Sequence, residues 1–258
     1  MKVVFVGAGR LATNFARALH AAGHDITAVF SRTLSSAEAL SRVVGGSPTD
    51  SIAELPIEAD AFIIAVKDSV LADVAAQLSQ GRSGQTFFHT AGSVSMSVFA
   101  QHPSCGVIYP MQTFSKERMV DFSRVPIFIE GNTSSSLTLA RRLATSVSSK
   151  VQELSSEDRR YLHLAAVFAC NFANHCYALS AQLLEQHGIS FDVMLPLINE
   201  TAEKVRSVHP RDAQTGPAVR YDENVLSAQR QLLADQPTLQ AVYDLMSRSI
   251  HQTETEKT

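Results

Sequence analysis

The chain opens with an apolar strand that runs straight into a glycine turn and a helix, and this feature restricts its fold more than any other. Val3-Val4-Phe5-Val6 leads into Gly7-Ala8-Gly9-Arg10-Leu11-Ala12, a Gly-x-Gly-x-x-Ala pattern. The amphipathic Asn14-Phe15-Ala16-Arg17-Ala18-Leu19 follows. Gly7 permits the tight turn, Gly9 lets the backbone approach a pyrophosphate, and the small Ala12 lets the helix pack closely on the strand. The helix N-terminus, with Arg10 and Leu11 in its first turn, then faces the phosphates. The pattern predicts a dinucleotide site formed by Gly7, Gly9, Arg10, Leu11 and Ala12.

Up to about residue 154, short apolar runs alternate with helical patterns, which is the signature of a doubly wound α/β sheet. Strands are expected to end at Val6, Phe30, Val66, His89 and Tyr109. Further strands over 126–130 and 150–154, near the sheet edge, flank a helix over 133–147. The composition then changes. Ser155-Ser156-Glu157-Asp158 reads as a capping box, and the helical pattern persists without a breaker to Gly188, roughly 45 Å at 1.5 Å per residue. More helices are expected over 190–208, where Pro196 introduces a kink or marks the true start, and over 223–234 and 238–251. The tail, 252–258, is expected to fray. The predicted fold is therefore a doubly wound, mostly parallel Rossmann-type sheet over 1–154, followed by a smaller all-α domain over 155–258. With 45% hydrophobic residues, the 258-residue chain has enough apolar side chains for such a core.

The charge balance narrows the partners. A net charge of -3 without a basic run argues against nucleic acid, so a small-molecule substrate is expected. The longest apolar runs, 61–66 and 164–170, fall far short of the ~20 residues of a membrane span. The apolar N-terminal run reads as the first strand rather than a leader. Cys105, Cys170 and Cys176 show no Cys-x-x-Cys spacing, and the last two lie ~9 Å apart along one helix. They read as reduced thiols in a cytoplasmic protein, and no residue cluster suggests a metal.

The second strand, Ile26-Thr27-Ala28-Val29-Phe30, ends in Ser31-Arg32-Thr33, where NAD-specific sites carry an acid. Two hydroxyls and a guanidinium suit a 2′-phosphate, which Arg32 is able to bind bidentately, with Arg10 as a second charge. NADP is the expected cofactor; the plain alternative is that Arg32 is a solvated loop residue.

Open sheets of this kind bind ligands outside the carboxyl ends of their strands, so the chemistry is sought there. Ala65-Val66-Lys67-Asp68 is expected to run along the cofactor, with Lys67 either binding substrate or pairing with Asp68. His89-Thr90-Ala91-Gly92-Ser93 brings an imidazole and hydroxyls to the crevice. His89 is a candidate acid or orienting group, or else a cap for its own loop, and Ser93 a substrate-binding hydroxyl. Tyr109-Pro110-Met111-Gln112-Thr113-Phe114 presents Gln112, whose amide suits a carbonyl or carboxylate. On the long helix His163, Val167, Asn171 and Asn174 fall within an arc of about 80° at 100° per residue. That polar stripe either bonds internally and to the other domain or faces a ligand. Two prolines and a glycine fix the loop over 208–222, where Arg211 and Gln214 are candidate substrate ligands, Arg211 for a carboxylate.

On Gly7-Ala8-Gly9, Ser31-Arg32-Thr33, the His89 and Tyr109 segments, His163 with Asn171-Phe172-Ala173-Asn174-His175, and the run from Pro210 to Pro217, the chain resembles a family of bacterial Rossmann-like proteins. The C-terminal helical half of that family is a domain of unknown function. The resemblance covers nearly the whole chain. Its architecture is similar to that of pyrroline-5-carboxylate reductase, ketopantoate reductase and 6-phosphogluconate dehydrogenase. It implies an oxidoreductase with NADP on the first domain and a helical second domain that completes the site and often dimerises. His163 stands where β-hydroxyacid dehydrogenases carry a catalytic lysine, so their lysine-dependent mechanism is not implied. Two readings follow. One is an NADPH-dependent reductase of a small C=O or C=N substrate, in which Gln112, Asn171 and Asn174 orient the substrate and His89 or His163 donates the proton. The other is an NADP-binding regulator or scaffold without hydride transfer. A homodimer through the C-terminal helices is expected, because a helix of about 45 Å exceeds the diameter of a domain of roughly a hundred residues.

Overall fold

The computed structural model describes residues 1–100 and 102–256, which form two compact units, Met1–Asn171 and Phe172–Thr258. The first unit is built on an eight-stranded sheet in the order β3-β2-β1-β4-β5-β6-β7-β8. Its strands are β1 (Lys2–Val6), β2 (Asp25–Phe30), β3 (Ser47–Thr49), β4 (Ala61–Ile64), β5 (Phe87–His89), β6 (Cys105–Pro110), β7 (Ile127–Gly131) and β8 (Val151–Glu153). All pairings are parallel except β6 with β7. The order reverses between β1 and β4, and ligands bind at such a switch point.

The sequence makes this sheet by alternation. Val3 and Phe5 of β1 face one layer with Phe15 and Leu19 of α1 (Arg10–Ala21), while Val4 and Val6 face the other with Leu71 and Leu78 of α3 (Asp68–Ser79). Both faces are covered, so these strands are continuous apolar runs rather than alternating polar and apolar ones. The remaining helices of this sheet are α2 (Leu34–Val44) and α4 (Ser134–Thr145), the latter opened by a reciprocal Thr133–Ser136 capping box. β3 was not expected from the sequence. It is three residues long, contains Pro48 and pairs only with β2, so no hydrophobic pattern announces it.

The first unit runs past residue 154, where the composition changes, because α5 (Ser156–Ala166) is bolted to the sheet by a buried charge. Arg159 is 1% exposed. Its Nη1 donates to Glu130 Oε2 on β7 at 2.6 Å, and its Nη2 donates to the Val94 carbonyl at 2.6 Å. Ser156 donates through its backbone N–H and its hydroxyl to the same carboxylate, at 3.0 and 2.6 Å, while its Oγ accepts the Met96 N–H at 2.9 Å. The start of α5, strand β7 and the loop after β5 thus share one ion pair.

The long helix expected to Gly188 is interrupted by a π-helical segment, Val167–Phe172, between α5 and α6 (Ala173–Glu185). A π segment bonds i to i+5, so the 100° spacing that put His163, Asn171 and Asn174 on one stripe does not hold through it. In the second unit the helix expected over 190–208 is a 3₁₀ turn, Phe191–Met194, followed by α7 (Leu195–Lys204), with Pro196 in its first turn as its true start. The loop over 208–222 folds two single-turn helices, α8 (Pro210–Ala213) and α9 (Pro217–Arg220), each opened by proline. α10 (Glu223–Gln231) and α11 (Pro237–Thr255) complete the unit, with α11 packed on α9. The tail expected to fray is helical to Thr255; residues 257–258 lie outside the described residues. No helix among the described residues is long and apolar enough to cross a membrane.

Removing one partner of a buried ion pair strands the other. Arg159→Ala is expected to lower the free energy of unfolding by about 3 kcal/mol in urea titrations, and Arg159→Met combined with Glu130→Gln to recover much of that loss. A single variant within about 0.5 kcal/mol of wild type would mean the pair does not anchor α5.

Candidate functional site

The glycine turn is held by backbone bonds that leave no choice of residue at its first position. Gly7 N–H donates to the Phe30 carbonyl at 2.8 Å, and Ala65 N–H to the Val6 carbonyl at 2.8 Å, so β1, β2 and β4 meet there. Gly7 has φ +123°, and a Cβ on it would lie 2.3 Å from the Ala65 carbonyl oxygen. Gly9 caps α1 with extended backbone and no side-chain cap, and the place of its missing Cβ has no neighbour within 4 Å. The first turn of α1 carries no acid. Uncapped N–H groups, the positive end of the helix and clear space above them form an anion cradle that fits a dinucleotide pyrophosphate.

Gly7, Gly9, Ser31, Arg32, Thr33, Ala65, Val66 and Lys67 line one cleft beside this turn. Ser31 Oγ accepts the Thr33 N–H at 3.3 Å and shapes the strand end. Arg32 is exposed and joins none of the ion pairs among the described residues, leaving its guanidinium for an anion. Arg10 is exposed in the first turn of α1, Leu11 packs half-buried on the core, and Ala12 is fully buried under the helix. Val70 and Val74 of α3 supply an apolar wall to the cleft that sequence reasoning missed, because valines one turn apart read as core. Asn14 was missed as well. Its amide donates to the carbonyls of Arg10 at 2.9 Å and Ser115 at 2.8 Å and accepts the Val120 N–H at 3.2 Å, which pins the loop after β6 to α1.

A second cluster sits at the carboxyl ends of β4, β5 and β6. Tyr109 Oη lies 3.0 Å from His163 Nδ1, the two rings meeting edge to face. Gly92 backs the pair: a Cβ there would lie 2.5 Å from His163 Nδ1 and 2.9 Å from Tyr109 Cζ. Ser93 donates its hydroxyl to the Asp68 carboxylate, and both are exposed. Lys67, also exposed, makes no ion pair with Asp68. Tyr109 is 7% exposed, and burial pushes its phenol up; the Arg159 guanidinium pulls it back and Asp68 adds to the rise. Sequence reasoning placed Tyr109 only as the end of a strand and gave it no role, since nothing in an apolar run marks a hydroxyl that meets an imidazole 54 residues away.

His89 has the other fate. It is fully buried, its Nδ1 accepts the Ala91 N–H at 3.2 Å, and its Nε2 makes no hydrogen bond of normal geometry among the described residues. Burial, with the Arg159 charge adding to it against the Ser95 backbone, drops its pKa to about 3. An enclosed imidazole that caps its own loop matches the loop-cap alternative considered for His89, and its burial leaves no exposed ring nitrogen for a substrate. Gln112 folds its Oε1 onto the Thr113 N–H at 2.8 Å. Asn171, in the π segment, and Asn174 are exposed and carry no side-chain hydrogen bond among the described residues. In the second unit Arg211 pairs with Glu256 at 3.6 Å, and Gln214 donates to the Thr215 carbonyl at 2.9 Å. No group of three or more His, Cys, Asp or Glu among the described residues is placed to hold a metal ion.

The turn, the strand order and the open phosphate cradle define a dinucleotide-binding fold, and comparison with known proteins narrows this. Residues 2–90 match the family described as NADP oxidoreductase, coenzyme F420-dependent, and residues 125–250 match a domain of unknown function, DUF2520. A crystal structure described as a putative NADP oxidoreductase from Bacteroides fragilis is 48% identical, spans 97% of this chain and 98% of its own, and superposes with a TM-score of 0.93. An imine reductase from Myxococcus stipitatus in complex with NADP+ shares the fold at 15% identity over 99% of this chain and 95% of its own, TM-score 0.72. A 1-pyrroline-5-carboxylate reductase from Streptococcus pyogenes does so at 14% identity over 98% of each chain, TM-score 0.62. No curated protein matches the chain. The chain belongs to the family that joins an NADP-binding Rossmann domain of the NADP oxidoreductase type to a DUF2520 C-terminal domain.

The burial of His89 has a pH consequence. Its folded pKa lies below its unfolded value, so the unfolded chain binds the extra proton between about pH 6.5 and 3. The stability that neutral His89 contributes is complete above 6.5 and is lost as pH falls toward 3. His89→Asn, which keeps an acceptor for Ala91, is expected to flatten the stability profile over that window by up to about 1.4 kcal/mol per pH unit. Parallel profiles for the two proteins in denaturant titrations would show that His89 titrates freely.

Proposed function

We propose that this protein is an NADPH-dependent reductase of a small substrate with a C=O or C=N bond. The observation that carries the reading is the coexistence, at one set of strand ends, of an open cradle fit for NADP and a Tyr109–His163 pair able to hold and move a proton. When bound, NADPH supplies the hydride. Ser31, Arg32 and Thr33 hold the 2′-phosphate and the first turn of α1 the pyrophosphate, with Ala65, Val66 and Lys67 along the rest of the cofactor. His163 Nε2 gives the proton to the substrate oxygen or nitrogen. Lys67, Ser93, Gln112 and Asn171 of the first unit orient the substrate; Asn174, Arg211 and Gln214 of the helical unit are further candidate ligands, Arg211 for a carboxylate. Position and charge are then the protein's contribution to the rate.

The protein is further proposed to be a cytoplasmic homodimer. In the helical unit Leu232 is 81% exposed, Leu197 63% and Leu245 61%, an apolar surface that supports burial against a second copy through these helices. Light scattering at micromolar concentration is expected to give twice the chain mass of 28.0 kDa, and a monomer would contradict this.

Following nicotinamide absorbance across a panel of cyclic imines, oxo acids and hydroxy acids tests the activity, and a protein that binds NADPH but never oxidises it would overturn the reading. In binding titrations NADPH is expected to be tighter than NADH. Arg32→Ala should weaken NADPH about 10- to 100-fold, the loss of a charge-assisted bidentate contact, and leave NADH within about twofold. Equal weakening of both nucleotides would remove the 2′-phosphate from Arg32.

A further inference from the structure

A histidine that donates a proton from Nε2 needs a group that fixes its tautomer and a source for the proton it gives up, and His163 has one neighbour able to do both. His163 Nδ1 is committed to Tyr109 Oη at 3.0 Å, and the ring is half-buried with Nε2 directed away from that contact. The phenol is buried and meets no other hydrogen-bond partner among the described residues, so its proton has one acceptor, Nδ1. A hydroxyl that donates to Nδ1 fixes the neutral imidazole as the Nε2–H tautomer. Gly92 and the Arg159–Glu130 anchor one helical turn before His163 hold the two rings in this register.

We propose that Tyr109 is the proton source behind His163 and acts through it as a positioning residue. This inference rests on the reductase reading. As the substrate accepts hydride, its oxygen or nitrogen takes the Nε2 proton of His163, Nδ1 takes the phenol proton of Tyr109, and the phenolate later recovers a proton from water by the reverse path. One hydride and one proton are added to the substrate, and the imidazole is neutral before and after. The charged groups around the phenol are graded for this. Arg159 on α5 favours the phenolate, Asp68 at the start of α3 opposes it, and Glu130 on β7 is occupied by Arg159. Burial keeps the phenol protonated at rest across the physiological range. The pair therefore delivers a proton without first having to charge the imidazole.

Two measurements test this separately from the reductase reading. The first needs neither cofactor nor turnover: nitrogen-15 NMR of the histidine rings at a pH where they are neutral, with the His163 signals identified among nine histidines by their loss in His163→Gln. His163 is expected as the Nε2–H tautomer alone in wild type and as a mixture in Tyr109→Phe. A wild-type ring protonated on Nδ1 overturns the proposal even if NADPH is consumed. The second is the pH profile of kcat/KM with any substrate found in the panel. Wild type is expected to hold its rate between about pH 6 and 9. Tyr109→Phe removes the hydroxyl that re-protonates Nδ1, so its rate relative to wild type is expected to be highest at the acid end of that range and to fall as pH rises. A loss by the same factor at every pH would reduce Tyr109 to a packing role and overturn the relay.

Discussion

The structure of the candidate site depends on one buried guanidinium. Arg159 stands at the first turns of α5 and donates through Nη1 to Glu130 of β7 and through Nη2 to the Val94 carbonyl of the loop after β5 and to the Ser156 hydroxyl. A charge that deep is costly unless paired, and the pairing dictates where α5 begins and which way it runs. Four residues later the same helix face carries His163, which therefore meets Tyr109 at the end of β6. Without the ion pair, α5 would be held to the sheet by the Ser156 bonds and the Tyr109–His163 contact, with a buried charge left unpaired. The chemistry at the strand ends follows from how that charge is buried.

The two histidines show how burial sorts residues of equal chemical promise. His89 and His163 both stand at the ends of strands or against them. His89 sits in the sheet, its ring closed off by Phe99 and its Nδ1 used by the Ala91 N–H, and burial keeps it neutral. His163 arrives from a helix, half-buried, and touches the sheet through one nitrogen, with no hydrogen bond at the other among the described residues. The same Arg159 charge that helps suppress protonation of His89 also favours the phenolate of Tyr109. Burial has the largest effect on both groups, and one cation adds to it at His89 and opposes it at Tyr109.

Much of the fold was legible because local and global preferences agree. The Gly7-Ala8-Gly9 turn, the apolar strands and the Ser31-Arg32-Thr33 strand end each carry their geometry in three to six adjacent residues. What was not legible involves partners far apart in sequence. Nothing in the sequence marks Arg159, because its partners Glu130 and Val94 are 29 and 65 residues away. Tyr109 looked like strand, and Asn14 like a helix-face residue until the loop over 115–120 folded onto it. The π segment has ordinary helical composition, so the stripe drawn through Asn171 assumed a regular helix. β3 is too short and too polar to read.

The central claim is that the cofactor cradle at Gly7–Gly9 and the Tyr109–His163 pair are two ends of one site. A crystal structure of the protein with NADP+ tests it most directly. The account predicts the 2′-phosphate on Ser31, Arg32 and Thr33, the pyrophosphate over the first turn of α1, and the nicotinamide ring beside His163 with space for a small substrate against Nε2. A nucleotide whose nicotinamide lies away from His163, or which binds elsewhere on the chain, would contradict it.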